Sequence, residues 1–434
     1  MPNDFRFFLC FPVFQLYFVL SLTEIPTDYV PERPVHGKEW CFSHIHRPNK
    51  VQQYKHTNKE STEMKFVVEK AGFQKAISRI EGIISAREIR SVISSILIES
   101  DKDSITLTAT DLDISMKTTI AAKIEKAGAI TAPAKKLSQI IKEFRFESVE
   151  IDSDAENKIS IRDGAGKAKT EIHLMGAPSD EFMLPSPIKD SHFKQFPPAL
   201  VNEMIRRTSY AIAEEDARYV FNGLYMESEG DQAVFVGTDG RRLARIARNF
   251  PESLPVDKGV VVPVKAIREL TRLIGNVEEG FVGYDSEESR LYFKLGDVEL
   301  ITRLIDGNFP DYRQVIPRKL DHEVKLNRES LRLSLRQAAV LAAEPSRQIR
   351  LEFSPGTLVV SSSTPDLGNV NDPMACEYQG EEVTIAYNSN YLLDVLGVLS
   401  SEEIIMGFST ASAPTVIKDP DDAEFVAVVM PMKI

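Results

Sequence analysis

The chain repeats itself three times, weakly, and that repetition limits its possible folds more than any single residue does. Thr110-Asp111-Leu112 is answered 128 positions on by Thr238-Asp239-Gly240. Pro133-Ala134-Lys135-Lys136-Leu137 is answered 130 positions on by Pro263-Val264-Lys265-Ala266-Ile267. Asn388-Ser389-Asn390-Tyr391-Leu392 sits 125 positions after Pro263 and again opens an amphipathic run. A length of 434 residues accommodates about three domains. A fold triplicated within one chain predicts an arc or a ring, which acts by geometry rather than by bond chemistry.

Each third opens with a short strand pattern followed by a helical stripe. Phe66-Val67-Val68 leads into Phe73, Ile77, Ile80 and Ile84. Phe193 and Phe196 lead into Leu200, Met204 and Ile205. Val324 and Leu326 lead into Leu331, Leu335 and Val340. Strand pairs are expected next: Ser95–Glu99 with Ser104–Ala109, Gly223–Glu227 with Ala233–Thr238, and Gln348–Phe353 with Thr357–Ser361. Turn residues lie between them. Second helices are expected over Lys135–Phe144, Lys265–Ile274 and Tyr391–Leu399. The fold class is therefore α+β, mainly antiparallel, with two helices on one side of each unit. Proline-marked boundaries near Leu184–Pro187 and Ile316-Pro317 give units at 64–184, 190–315 and 316–434.

Residues 1–63 read differently. They hold His36, His44, His46 and His56, Cys10 and Cys41, and the sole Trp, Trp40. The apolar run Phe7 to Leu22 is broken by Pro12 and Gln15 and is short for a membrane span. No small-residue cleavage site follows it. Cys41, His44 and His46 lack the four-ligand spacing of a closed zinc site. This piece is expected to be an unstructured extension, with the functional start at Met64. Three scattered cysteines fit a reducing compartment, and a cytoplasmic location is expected. The net charge of −12 argues against non-specific DNA coating, although it leaves room for a basic surface on one face.

An enzyme would need a convergent constellation, and none is visible. Asp163-Gly164-Ala165-Gly166-Lys167 looks like a fragment of a phosphate loop but lacks the full spacing, and it reads better as a hairpin turn. Asp111 and Asp239 could serve as acids in duplicated domains, but the third unit offers only Thr364-Pro365-Asp366-Leu367. Turn roles are favoured for both. The rival readings are thus a duplicated-domain enzyme using Asp111 and Asp239, and an exported or membrane-anchored binding protein driven by residues 7–22. No cofactor or metal is expected.

The helices carry a stronger signal. Lys75 and Arg79, Arg268 and Arg272, and Arg332 and Arg336 are each four apart, which places each pair on one helix face. Lys265 lies one turn before Arg268. Arg206 and Arg207, and Lys135, Lys136 and Lys142, occupy the corresponding helices. Positive charge recurring at equivalent places suits a phosphate backbone gripped without sequence reading. The carboxyl end, Val426 to Ile434, is apolar almost throughout, and Met430-Pro431-Met432 suits an adaptable partner groove.

From Met64 to Ile434 these segments resemble the β subunit of bacterial DNA polymerase III, the sliding-clamp family. The resemblance is carried by Met64-Lys65-Phe66, Arg218-Tyr219-Val220-Phe221-Asn222-Gly223, Thr238-Asp239-Gly240-Arg241-Arg242-Leu243, Asp306-Gly307-Asn308-Phe309-Pro310-Asp311-Tyr312 and Val428-Val429-Met430-Pro431-Met432. It implies three similar clamp domains per chain, and a head-to-tail homodimeric ring with helices lining the hole. It implies a non-catalytic processivity factor that encircles duplex DNA regardless of sequence. The implied partners are the replicative polymerase α subunit, the clamp loader and other proteins carrying clamp-binding motifs. By resemblance the partner-peptide groove comprises Phe221, Thr238, Gly240, Arg241, Arg242, Leu243, Pro310, Val315, Asn390, Val428, Val429, Met430, Pro431 and Met432. DNA contacts fall on Arg87, Arg218 and Tyr219, to which the helix charges Lys75, Arg79, Lys265, Arg268, Arg272, Arg332 and Arg336 are added. Ile172, Val340 and Leu341 match positions buried between subunits. Glu214-Glu215, Val220, Gln314 and Ser346 depart from the family pattern.

Overall fold

The computed structural model describes residues 63–84, 92–187, 192–256, 258–275 and 277–434. The membrane and metal readings of residues 1–62, and the DNA contact expected at Arg87, lie outside the described residues. Among the described residues no helix is long and apolar enough to cross a membrane. No His, Cys, Asp and Glu cluster able to hold a metal occurs among them either.

The first third runs β1 (Met64–Glu69), α1 (Lys70–Ile80), β2 (Ser95–Ser100), β3 (Ser104–Thr110), β4 (Ile114–Ala121), β5 (Lys123–Lys126), β6 (Ala129–Pro133), α2 (Ala134–Glu143), β7 (Ser148–Ser153), β8 (Lys158–Asp163), β9 (Glu171–Met175) and the two-residue β10 (Ala177–Pro178). The second runs β11 (Phe193–Phe196), α3 (Pro198–Thr208), β12 (Gly223–Glu229), β13 (Gln232–Thr238), β14 (Arg242–Asn249), β15 (Val260–Pro263), α4 (Val264–Ile274), β16 (Gly280–Asp285), β17 (Arg290–Leu295) and β18 (Val298–Arg303). The third runs β19 (His322–Asn327), α5 (Arg328–Val340), β20 (Gln348–Ser354), β21 (Thr357–Thr364), β22 (Gly368–Ala375), β23 (Val383–Asn388), α6 (Ser389–Val398), β24 (Glu403–Phe408), β25 (Thr415–Asp419) and β26 (Asp422–Val429). The second and third orders are identical. The first differs only by the short β5 and β10.

The stripes fold as their spacing requires. On α1, Phe73, Ala76, Ile77 and Ile80 are buried, and on α5 so are Leu331, Leu335 and Ala338. Phe73 packs edge-on against Phe66 of β1, with ring centroids 6.2 Å apart. The helix faces and the inner sheet faces form one apolar cluster through all three thirds. Fully burying each Ile, Leu or Phe contributes roughly 1.5–3 kcal/mol. The glycine-containing stretch after β8 is a hairpin turn, as its composition predicts. Gly166 adopts φ +67°. The Asp163 carboxylate accepts the backbone N–H groups of Ala165, Lys167 and Ala168 at 3.1, 3.0 and 3.1 Å.

Strand pairing crosses the boundaries between thirds, a feature that no local pattern announces. One nine-stranded sheet has the order β10-β6-β2-β3-β4-β18-β17-β16-β11, joining the first third to the second through β4 and β18. An eight-stranded sheet, β15-β12-β13-β14-β26-β25-β24-β19, joins the second to the third through β14 and β26. Both junction pairs are antiparallel. Two sheets stay within one third: β5-β1-β7-β8-β9 and β22-β21-β20-β23. The strands β4, β14 and β22 hold equivalent places, as do β9, β18 and β26. Two of the three equivalent pairings are therefore made within the chain, and β22 and β9 remain as sheet edges.

Helices meet across the same junctions. From α4, Arg272 donates to the Arg79 carbonyl at the end of α1. From α3, Arg206 Nη1 donates to the Val398 carbonyl at the end of α6, at 3.2 Å. Arg207 overturns its expected place on an exposed basic face. It is only 4% exposed. Its guanidinium pairs with Asp419 and Asp422 and lies 4.6 Å over the Phe425 ring. Arg248 Nη2 reaches Glu203 at 2.8 Å and also pairs with Asp422. A basic helix residue beside another can thus point into a domain junction, where carboxylates from the neighbouring third compensate its burial.

Candidate functional site

A second, smaller apolar cluster lies apart from the main core, at the junction of the second and third units. It contains Val234, Val236, Leu243, Ala247, Tyr312 and Val428, with Tyr225, Phe309 and Ile316 packed beside it. Strand alternation produces it. Leu243 of β14 pairs with Val428 of β26, and both side chains are buried on this face. Val429, one residue on, enters the main core instead and is 0% exposed. Of the two adjacent valines expected in the groove, only Val428 belongs to this smaller cluster.

The segment joining the two units covers part of this face. Phe309 stacks on Tyr225 at 4.5 Å with 10° between the planes, and meets Phe221 edge-on at 6.2 Å. Tyr312 Oη donates to Glu227 at 2.7 Å. Burial, with help from the neighbouring Glu227, pushes the Tyr225 hydroxyl up to about 12. Farther along, Pro310 and Val315 are exposed, Val315 at 42%. The carboxyl tail forms the opposite wall. Met430 N–H donates to the Arg241 carbonyl at 2.9 Å and Met432 N–H to the Ala386 carbonyl at 2.8 Å. Residues 430–432 are thereby tied to both units and remain partly exposed, Pro431 among them.

One turn sets the end of this groove. Thr238 Oγ1 donates to the Arg242 carbonyl at 2.6 Å and accepts the Gly240 N–H at 3.0 Å. The Asp239 carboxylate accepts the N–H groups of Arg241 and Arg242 at 2.8 and 3.0 Å. Gly240 has φ +81°, and a Cβ there would lie 3.0 Å from both terminal nitrogens of Arg218 and 3.3 Å from the Phe221 ring. Gly240→Ala is therefore expected to cost about 1–2 kcal/mol from the left-handed backbone alone, before the collision. A urea titration showing no loss of stability would contradict this. Arg242 then ties the turn to the third unit. It pairs with Asp239 at 3.1 Å and Asp394 at 2.5 Å, and its guanidinium lies 4.6 Å over the Tyr391 ring. Asn390, expected in the groove, is half-buried and accepts from Arg347 at 3.3 Å. Tyr225, Tyr391 and Asp394 were not identifiable from sequence, because their places follow from pairing between distant segments.

The first unit builds the same turn without the same face. Thr110 Oγ1 donates to the Ile114 carbonyl at 3.1 Å and accepts the Leu112 N–H at 3.0 Å. Asp111 accepts the Asp113 and Ile114 N–H groups at 3.1 and 2.7 Å. By strand register Thr106, Thr108, Ser115 and Thr119 stand where Val234, Val236, Leu243 and Ala247 stand in the second unit. Thr106 and Thr119 pair their hydroxyls at 3.0 Å. Four apolar positions of the second-unit cluster are thus hydroxyl-bearing in the first unit. Asp111 and Asp239 act as turn acceptors at separate places, not as a convergent acid pair.

The expected DNA contacts divide into two groups. Lys75 and Arg336 are exposed, and Arg268 is exposed beside Glu214 at 3.1 Å. Tyr219 is 74% exposed. Arg79, Lys265 and Arg272 brace the junction of the first and second units. Arg79 pairs with Asp297. Lys265 donates to the Ile83 carbonyl at 3.0 Å and pairs with Asp111. Arg272 pairs with Glu269 at 2.7 Å. Arg332 is held by Glu329 at 2.6 Å on its own helix. Arg218 is exposed but engaged by Asp216. Of the residues expected between subunits, Val340 is 76% exposed at the end of α5. Leu341 and Ile172 are half-buried, with Ile172 on the edge strand β9.

The profiles of the DNA polymerase III beta subunit match in chain order: the N-terminal domain over residues 64–185, the central domain over 195–311 and the C-terminal domain over 313–433. The beta sliding clamp of Chlamydia pneumoniae is 30% identical over 371 residues, covering 86% of this chain and 99% of that protein. The beta sliding clamp of Proteus mirabilis is 30% identical over 375 residues, with 86% and 100% covered. Among solved structures, the sliding clamp of Bartonella birtlesii bound to griselimycin superposes with a TM-score of 0.80 at 31% identity, covering 86% of this chain and all of that one. The beta sliding clamp of Caulobacter crescentus superposes with a TM-score of 0.81 at 29% identity over the same shares.

Proposed function

The chain belongs to the DNA polymerase III β subunit family, and from that premise we propose that two copies close head-to-tail into a ring around duplex DNA. It is a DNA sliding clamp, a processivity factor rather than an enzyme. The observation that supports the ring is the unfinished set of equivalent pairings. Within the chain β4 pairs with β18 and β14 with β26, while β22 and β9 are left as edges. Pairing β22 of one copy with β9 of another repeats the same junction. Exposed sheet edges are otherwise a liability, and head-to-tail contacts close only when the rotation per unit divides the circle. The same repetition brings α5 of one copy to α2 of the next, and places Val340, Leu341 and Ile172 in that contact.

A closed ring cannot leave duplex DNA sideways. Tethering a polymerase to it raises the polymerase's effective concentration at the primer end. The replicative polymerase α subunit, the clamp loader and other proteins with short clamp-binding peptides share the groove floored by Leu243 and Val428. On this reading the protein works in the cytoplasm. The direct test is retention: the ring should stay on nicked circular DNA and slide off after linearisation. Equal loss from both would reject encirclement.

The helix charges grip phosphates weakly and without sequence reading. Reversing Lys75, Arg268 and Arg336 to Glu is expected to shorten retention and to flatten its salt dependence, by roughly one unit of slope for each phosphate no longer gripped. These three are the informative choice, because Arg79, Lys265 and Arg272 also brace a domain junction. An unchanged slope would show that these helices do not face DNA.

A further inference from the structure

We propose that Arg218 is the shared group through which DNA binding and partner binding are coupled, with Asp216 as the carboxylate that a DNA phosphate displaces. The proposal rests on the clamp reading above. It starts from an unusual concentration of interactions on one exposed side chain. Arg218 Nε and Nη2 donate to the two oxygens of Asp216, both at 2.9 Å. Nη2 also donates to the Asp239 carbonyl at 3.2 Å, inside the groove turn. The guanidinium lies 4.3 Å over the ring of Phe221, which in turn meets Phe309. A Cβ on Gly240 would lie 3.0 Å from the Arg218 terminal nitrogens and 3.3 Å from the Phe221 ring, so a side chain there would press on both groups. One arginine therefore touches a carboxylate of its own exposed loop, the Asp239 carbonyl and the Phe221 ring.

This arrangement can switch without unfolding. The Arg218 side chain is 59% exposed, and an ion pair in solvent is weak. A phosphate matches the guanidinium fork as well as a carboxylate does. The loop itself is held independently of the ion pair. Asp216 N–H donates to the Asn222 side chain at 2.8 Å, Asn222 donates back to the Asp216 carbonyl at 3.0 Å, and Asp216 accepts the Arg218 backbone N–H at 2.8 Å. The side-chain and backbone donors of Arg218 also keep the Asp216 carboxyl far below the usual carboxylate range, so it stays an anion that competes with phosphate. When a phosphate draws the guanidinium away, the Phe221 ring face is uncovered for an apolar side chain of a partner peptide. DNA should therefore tighten peptide binding, and peptide should tighten DNA binding by the same factor.

The experiment uses the full chain, a fluorescein-labelled peptide containing Gln and two leucines, and a short blunt duplex, read by anisotropy. Saturating duplex is expected to lower the peptide Kd of the wild type about fivefold, within the usual range of coupling. In Arg218→Ala the peptide Kd should be the same with and without duplex. In Asp216→Asn the duplex-free Kd should already match the duplex-bound value of the wild type. Duplex and peptide both binding the wild type with a Kd ratio of one would overturn the coupling while leaving the clamp reading intact. So would persistence of the shift in Arg218→Ala. Failure of both probes to bind would overturn the clamp reading and this inference together.

Discussion

Removal of Met430 to Ile434 is expected to abolish binding of partner peptides and stimulation of the polymerase, while the dimeric ring still forms on DNA. The deleted stretch begins after β26 ends at Val429, so the pairing of β26 with β14 and β25 survives. What disappears is the wall: the Met430 bond to Arg241, the Met432 bond to Ala386 and the apolar side chains between them. A few well-buried anchors carry most of the affinity in such interfaces, and flexible methionines let one groove receive different partners. The remaining floor of Leu243 and Val428 would be left as an open shelf. Normal stimulation by the truncated protein would place the partner site elsewhere.

Val340→Lys is expected to give folded monomers by light scattering at micromolar concentration. Val340 is 76% exposed within one chain, so the substitution costs that chain little. In the proposed ring the same position would meet a second copy, where an unpaired ammonium in an apolar interface would cost several kcal/mol. Each 1.4 kcal/mol is tenfold in affinity, so the dimer should weaken by about 100-fold or more. Leu341→Lys should act in the same direction, but it also disturbs a half-buried residue whose backbone carbonyl accepts from the Thr364 hydroxyl at 2.6 Å. A Val340→Lys protein that stays dimeric would show that the β22 edge is not where copies meet.

Local structure was legible in the sequence where a single period decided it. The stripes of Phe73, Ile77 and Ile80, or of Leu331 and Leu335, leave no alternative to a buried helix face. Turn chemistry was equally plain at Asp163–Lys167. The failures have one physical source: residues whose surroundings come from another third of the chain. Arg207 sits four positions from Glu203 and looks solvated, but its partners Asp419 and Asp422 are more than 200 positions away. Arg272 and Lys265 look like a phosphate grip, but the carbonyls they reach belong to the first unit. Val428 and Val429 could be told apart only once β26 was known to pair with β14, which assigns one to each side of the sheet. The family resemblance supplied the expected groove residues, and strand register then assigned Val428 and Leu243 to the smaller apolar cluster and Val429 to the main core.

The twin turns also differ in how freely they can drift. Leu112 holds φ +81°, the same left-handed backbone as Gly240, with its side chain 51% exposed. A leucine there carries strain of about 1–2 kcal/mol, and its side chain is open enough to solvent for a larger or smaller residue to take its place. Position 240 has less latitude, since an added methyl would lie 3.0 Å from Arg218 and 3.3 Å from the Phe221 ring and would press on both. Duplication gave the chain two copies of one device. In one copy the left-handed residue faces solvent, while in the other it is crowded by Arg218 and Phe221. Mutational scanning should find one permissive turn and one intolerant turn of the same shape.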